Sequence, residues 1–248
     1  MNCIPIRTRA LVAPKDDLFE ALSVVPKLSE RVIICVASKV VAIHQGRTLP
    51  ISEVSGREEL IAREATYAIP KSLSPGEHVT LTVTDGMIIS SAGIDKSNAN
   101  DHYILWPKDC HAFAWKLRDF FRQRDGVKDL GVIIVDSHSL PMRRGSMGFS
   151  LGFAGFAPLN SYVGKPDIFG KTMTVSVVNL VDGIASAGAF VMGEGDEQTP
   201  VAIVSDLPNV IFDEADHSTE VVVPLEQDIY YPLTKNFLEF PVNNQFDQ

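Results

Sequence analysis

Apolar and polar positions alternate along this chain with two periods, one suited to strands and one to helices. From Arg31 to Ala37 a continuous apolar run, Val-Ile-Ile-Cys-Val-Ala, predicts a central strand buried on both faces. Val79 to Thr84 alternates valine or leucine with threonine, the pattern of a half-buried strand, and Asp85-Gly86 predicts a hairpin turn into a returning strand over Met87 to Ser91. The next segment, Ala92-Gly93-Ile94-Asp95-Lys96-Ser97-Asn98, is too polar for a core. Cys110, Phe113, Ala114, Leu117, Phe120 and Phe121 recur at helical spacing behind Pro107 and Asp109, with Gly126 as a stop signal. Gly131 to Val135 predicts a second buried strand that halts at Asp136-Ser137-His138. From 138 to 170 the density of glycine and aromatic residues predicts a loop-dominated lobe. Met173 to Val177 then predicts a strand, Asp182 to Val191 a small-residue helix, and Val201 to Val204 a further strand. These elements make the chain α+β, with a single domain over 1–235 and a flexible tail over 236–248.

Composition narrows the class of protein. The 248 residues are 45% hydrophobic and 21% charged, and no tract approaches the roughly 20 consecutive apolar residues of a membrane helix. The N-terminus lacks the apolar core of a secretory signal, so the expected location is the cytoplasm. Cys3, Cys35 and Cys110 are odd in number and widely spaced, which argues for small buried hydrophobes over a disulfide frame or a thiolate metal site. A net charge of −9, with few lysine or arginine clusters, weighs against a nucleic-acid surface, and with no apolar tract of membrane length no membrane partner is expected. An acidic protein that binds a polyanion needs a divalent cation and a few placed lysines or arginines.

Candidate residues follow from that requirement. Asp95, Asp136 and Glu194 each sit in a short polar or glycine-bearing turn near the end of a predicted element. Such carboxylates, with the Ser137 hydroxyl, could converge on Mg²⁺ or Mn²⁺, or each could cap its own turn; spacing alone favours the second. Lys39, in Ser38-Lys39 at the end of the first buried strand, could meet a phosphate or simply be solvated. Arg143-Arg144-Gly145 could clamp a phosphate or carboxylate, or pair with the protein's own acids. Neither a Gly-x-x-x-x-Gly-Lys-Ser/Thr loop nor a Gly-x-Gly-x-x-Gly turn is present. Gly148-Phe149-Ser150-Leu151-Gly152 matches a serine-hydrolase nucleophile elbow, but no buried strand precedes it, and Ser150 reads as loop packing. His138 reads as structural or substrate-facing.

Several ordered blocks together resemble the coenzyme F420-0:L-glutamate ligase family. They are Val36-Ala37-Ser38-Lys39-Val40-Val41 with Gly46-Arg47, Ala92 to Asn98, Val135-Asp136-Ser137 through Pro141 and Arg143-Arg144-Gly145, Ala154-Gly155-Phe156-Ala157-Pro158-Leu159, Asp167-Ile168-Phe169-Gly170, and Val191-Met192-Gly193-Glu194 before Pro200-Val201. The resemblance implies two intertwined lobes of mixed sheet and helix, a homodimer across the glycine-rich region, and GTP-dependent addition of L-glutamate to a carboxylate-bearing cofactor acceptor, with ATP as an alternative nucleotide. It implies divalent cations on Asp95, Asp136, Ser137 and Glu194, with K⁺ a further candidate. It places the nucleotide on Ser38, Lys39 and Asn98 and on Met192, Gly193, Glu194, Gly195, Asp196, Glu197, Gln198 and Thr199. Catalysis falls to Asp136 and Lys39, aided by Arg143 and Arg144.

Two departures bear on specificity. Ile43 stands where the family carries a second nucleotide-contacting lysine, and His138 to Met142 lacks the family's glycine and aromatic residues. Folate-type polyglutamylation is the alternative acceptor chemistry. A non-catalytic nucleotide-binding regulatory module is the alternative of another class, and a serine hydrolase ranks third.

Overall fold

A computed structural model describes residues 1–242 except 75, 77 and 78. In chain order the elements are β1 (Asn2–Ile6), α1 (Leu18–Ala21), β2 (Val32–Ala37), α2 (Ser38–Gln45), β3 (Thr48–Pro50), α3 (Arg57–Glu64), β4 (Tyr67–Ile69), β5 (Leu81–Thr84), β6 (Met87–Ser90) and β7 (His102–Ile104). They continue with α4 (Cys110–Asp125), β8 (Leu130–Ser139), β9 (Ser146–Ala154), β10 (Leu159–Ser161), β11 (Val177–Asn179), α5 (Leu180–Met192), β12 (Val201–Ser205) and α6 (Tyr231–Thr234). The chain is mixed α+β, as its patterning predicts.

The principal sheet has the order β1-β12-β2-β8-β9, with β2 and β8 parallel and the other pairs antiparallel. Its centre is covered on both faces, which explains the unbroken apolar run of β2. Val32, Ile34 and Val36 enter one core cluster with Val41, Phe113, Leu117 and Phe121, while Ile33 and Cys35 enter another with Val181, Ile184 and Ala185. Thus α2 and α4 cover one face and α5 the other. A separate sheet, β4-β5-β6, shares a third cluster with Leu60 and Ile61 of α3. Among the described residues no helix is long and apolar enough to cross a membrane.

The glycine-rich stretch 138–170 is not the loop-dominated lobe its composition suggests. β8 runs on to Ser139, and β9 forms an edge of the principal sheet through the whole Gly148 to Gly152 motif. The glycines there admit helices. A Cβ added at Gly148 would lie 2.4 Å from Ala189 Cβ and 2.7 Å from Ala185 O on α5. One added at Gly152 would lie 2.5 Å from His111 N on α4. The β8–β9 register shifts between Ile134 and Val135, whose partners are Gly152 and Ser150, so Leu151 is an extra residue on β9. A bulge of this kind bends the strand and re-aims side chains, here just before Asp136.

Two other expectations need correction. The strand expected over Met173 to Val177 is instead β11 at Val177–Asn179, because β10 finds its antiparallel partner there. The tail expected to be flexible from 236 contains buried Phe237, a bridge from Pro241 to Tyr67, and a backbone bond from Val242 N–H to Thr66 O. Residues 243–248 of that expectation lie outside the described residues. The helix expected at Asp182 to Val191 is α5, one to two residues longer at each end.

Candidate functional site

A cleft of about 380 Å³ opens where the parallel pairing of β2 with β8 ends. Ala37 is in register with Val135, so the next residues on each strand, Ser38 and Asp136, emerge side by side. The Ser38 hydroxyl donates to Asp136 Oδ2 at 2.6 Å, and the Ser137 N–H donates to Asp136 Oδ1 at 2.7 Å. Ser38 and Lys39 form the first turn of α2, which starts without a side-chain cap and ends at Gly46 in the left-handed region.

The second wall comes from the corner after β6. Ser91, Ala92 and Gly93 all take positive φ, and a Cβ at Gly93 would fall 2.0 Å from the Trp106 ring, so only glycine permits this approach. The corner is pinned by paired backbone bonds between Asp95 and Ile104. It presents Asp95 to Lys39: Nζ lies 2.7 Å from Asp95 Oδ2, 2.8 Å from Ser97 Oγ and 3.1 Å from Ser97 O. Asn98 Nδ2 donates to Gly195 O at 2.9 Å, tying the corner to the loop after α5.

That loop, 193–200, is the third wall. Gly195 N–H donates to Glu197 Oε2 at 2.8 Å, the Thr199 hydroxyl to Met192 O at 2.5 Å, and Thr8 N–H to Gln198 O at 3.0 Å. Met192, Gly193, Glu194, Gly195, Asp196, Glu197, Gln198 and Thr199 all line the cleft, with Ser38, Lys39, Asp95, Asn98, Asp136 and Ser137. Segments some 100 residues apart in sequence therefore meet in one place.

The two central acids differ in electrostatics. Burial pushes the Asp136 carboxyl up to about 6, despite the Ser38 hydroxyl and the Ser137 N–H that favour its charge. Burial also opposes ionisation of Asp95, but the Lys39 ammonium and the Ser97 hydrogen bonds outweigh it and hold that carboxyl at about 2. Asp136 is therefore a half-buried acid short of a counter-charge.

Some expected residues lie elsewhere. Arg143 and Arg144 are exposed in the β8–β9 turn and are not among the residues lining the cleft. His138 packs its ring on Phe149, with centroids 4.3 Å apart, and burial lowers its pKa. Ser150 lies mid-strand, its hydroxyl buried without a hydrogen-bond partner, in neither the loop expected for it nor a strand-to-helix elbow. Ile43 lines the cleft and also belongs to the core cluster around α2. The segment Thr8 to Leu11 also lines the cleft and carries no motif that would single it out. Within it, Arg9 is held by both oxygens of Asp16, each at 2.8 Å, and by Glu20 at 3.1 Å.

The family model described as F420-0:gamma-glutamyl ligase matches residues 6–206. The chain belongs to this family. It is 32% identical over 220 residues to the coenzyme F420:L-glutamate ligase of Methanopyrus kandleri, covering 82% of this chain and 86% of the relative. It is 35% identical over 226 residues to the enzyme of that name from Haloarcula marismortui, covering 84% and 86%. The Archaeoglobus fulgidus enzyme of that name is 30% identical over 220 residues, covering 84% and 88%. The family match encloses every residue lining the cleft.

The residues present fit a divalent cation by donor chemistry. Asp95, Asp136, Ser137 and Glu194 offer only hard oxygens to one cleft, and the Lys39 ammonium already occupies a cation position among Asp95 and Ser97 oxygens. Among the described residues no three histidine, cysteine or acidic side chains are gathered closely enough to hold an ion as they stand.

Proposed function

We propose that this chain is a nucleoside-triphosphate-dependent γ-glutamyl ligase that joins L-glutamate to the carboxylate of a coenzyme F420-0-like acceptor in this cleft. The observation that carries the reading is the junction of Ser38, Lys39, Asp95, Asn98, Asp136 and the 192–199 loop in one cavity of a chain whose family match encloses them all. GTP is the proposed nucleotide, from the family resemblance.

A free carboxylate does not react with an amine to give an amide at useful rates, so the proposal requires activation. An acceptor carboxylate oxygen attacks the γ-phosphorus, the bond from that phosphorus to the β–γ bridging oxygen breaks, and the nucleoside diphosphate leaves. The glutamate amine attacks the resulting acyl phosphate at carbon, loses a proton and expels inorganic phosphate. Lys39 offsets charge on the transferring group, and the Ser38 hydroxyl orients Asp136. Asp95, Asp136, Ser137 and Glu194 would hold Mg²⁺ or Mn²⁺, which when bound neutralises phosphate charge.

The β10–β11 arm is proposed as a homodimer contact, because two adjacent large apolar side chains at its tip, Ile168 and Phe169, are 91% and 87% exposed. A sedimenting mass of two chains accords with this, and a single-chain mass opposes it. All three cysteines are free, which suits the proposed cytoplasmic setting. Mass spectrometry tests the function: the deazaflavin precursor incubated with protein, glutamate, GTP and Mn²⁺ gains one or more glutamyl residues. Nucleotide binding with an unchanged precursor and an unchanged reduced folate would instead support a non-catalytic module.

A further inference from the structure

The stretch after β12 lies outside the cleft and touches both sheets in turn. It begins beside β9, where Ala157 N–H donates to Ile211 O at 2.9 Å and Phe212 bridges to Phe156. Glu214 then accepts a two-pronged hydrogen bond from Arg118 of α4, both arms at 2.8 Å, and the Arg118 side chain is only 1% exposed. Val222 covers the β5–β6 turn, where a Cβ on Gly86 would come 3.3 Å from Val222 Cγ1. The stretch ends along β4, with Ala68 N–H donating to Phe240 O at 3.1 Å. It is thus a strap from the α4 side of the principal sheet to the sheet whose β6 leads into the Asp95 corner.

His217 sits where the strap doubles back, closed by a bond from Glu220 N–H to His217 O at 3.0 Å. Its Nδ1 is 2.6 Å from Glu220 Oε1, and its Nε2 is 3.0 Å and 3.2 Å from the two oxygens of Asp213. A neutral imidazole has one N–H and can serve only one of these carboxylates; an imidazolium serves both. With the proton gone, a nitrogen lone pair faces a carboxylate oxygen at hydrogen-bonding distance.

We infer that His217 is a pH-sensitive buckle: as an imidazolium it closes the 213–220 turn, and loss of its proton loosens the strap and, through Val222 and Gly86, the corner that carries Asp95. The charged groups around it are Asp213, Asp216 and Glu220 on its own turn. From α4 come His111, whose pKa burial lowers, and the Arg118 and Arg122 pair that is taken up by Glu214. Burial works against the His217 charge, yet Glu220 and Asp213 outweigh it and hold the group above its ordinary 6.5. A raised histidine pKa contributes stability that is fully present below 6.5 and lost as the pH rises through the higher folded value.

The test is amide exchange, read as protection factors, on the metal-free full chain and on His217→Gln, between pH about 6 and about 8.5, together with an NMR titration of His217. In the parent, protection at 213–222 and at 84–98 falls across this window, by about tenfold for each unit that His217 titrates above its ordinary value. In His217→Gln it is low throughout. Protection that ignores pH, or that falls at 213–220 while 84–98 is unaffected, overturns the inference. Should His217→Gln not fold, Glu220→Gln keeps the imidazole and moves its titration midpoint down; an unmoved midpoint overturns the inference as well.

Discussion

Lys39 Nζ lies 2.7 Å from Asp95 Oδ2, so the first turn of α2 holds the corner after β6 by a direct ion pair across the cleft. The ammonium keeps the Asp95 carboxyl ionised, and in the proposed reaction it also offsets charge on the transferring phosphoryl group. Lys39→Met keeps the stem and removes the charge. Turnover should fall by about a hundredfold or more, the range for loss of one placed charge donor at a reacting group. Asp95 should titrate closer to its ordinary 3.8 than to the 2 or so it has beside Lys39. Unchanged kcat in a folded variant would remove Lys39 from the chemistry.

With Asp136 as a proposed cation ligand, its titration sets a pH limit on that binding. Burial holds its carboxyl at about 6, and a cation needs the carboxylate, so apparent Mn²⁺ affinity should fall about tenfold per pH unit below that value and level off above it. Calorimetric titration across the range checks this. The sign for the metal-free fold is the opposite: a carboxyl raised above its ordinary 3.8 contributes stability that is lost as the pH rises through about 6. Asp136→Asn should therefore gain on the parent in melting temperature as the pH rises, while losing both Mn²⁺ binding and turnover. Equal Mn²⁺ affinity in parent and variant would exclude Asp136 as a ligand.

At Gly148 the backbone of β9 packs directly against α5. Gly148→Ala must push α5 away, because the new Cβ would lie 2.4 Å from Ala189 Cβ, at a cost of about 1–3 kcal/mol. The loop 193–200 hangs from the end of α5, so nucleotide affinity should fall with it. Gly183→Ala is the control, in the same helix with nothing within 4 Å of the added methyl, and it should stabilise by about 0.5–1 kcal/mol. Chemical denaturation and equilibrium nucleotide binding measure the two effects.

Ser150 should prove inert. Its hydroxyl is buried without a partner, so Ser150→Ala removes an unsatisfied polar atom and should leave stability equal or higher. Turnover should be unchanged, and a fluorophosphonate probe should not label the parent. Labelling at Ser150 would revive the hydrolase reading.

These residues also show what a sequence can disclose. β2, α4 and α5 were legible because an apolar run or a helical period is repeated enough to overcome local ambiguity. β9 was not, because Gly148 and Gly152 signal loops locally, while their absent side chains admit α5 and α4 only once the chain is folded. The Asp95, Asp136 and Ser38-Lys39 blocks were legible as polar side chains at element ends, and the structure brings them to one cleft, where each acid also accepts from the N–H groups that follow it. Thr8 to Leu11 were missed because nothing in their composition reports that β1 delivers them to the cleft. Arg143 and Arg144 misled for the reverse reason: two guanidinium groups beside a glycine resemble an anion clamp, but the β8–β9 hairpin carries them out to an exposed turn.

In the proposed reaction, nucleotide cleavage in this cleft is coupled to amide formation. The most direct measurement is nucleoside diphosphate release from GTP and from ATP with Mn²⁺, in the presence and absence of glutamate and of the deazaflavin acceptor. Release should require both glutamate and acceptor, with one diphosphate formed for each glutamate joined. Equal release with glutamate or acceptor left out, or acceptor extended without any diphosphate formed, would contradict that coupling.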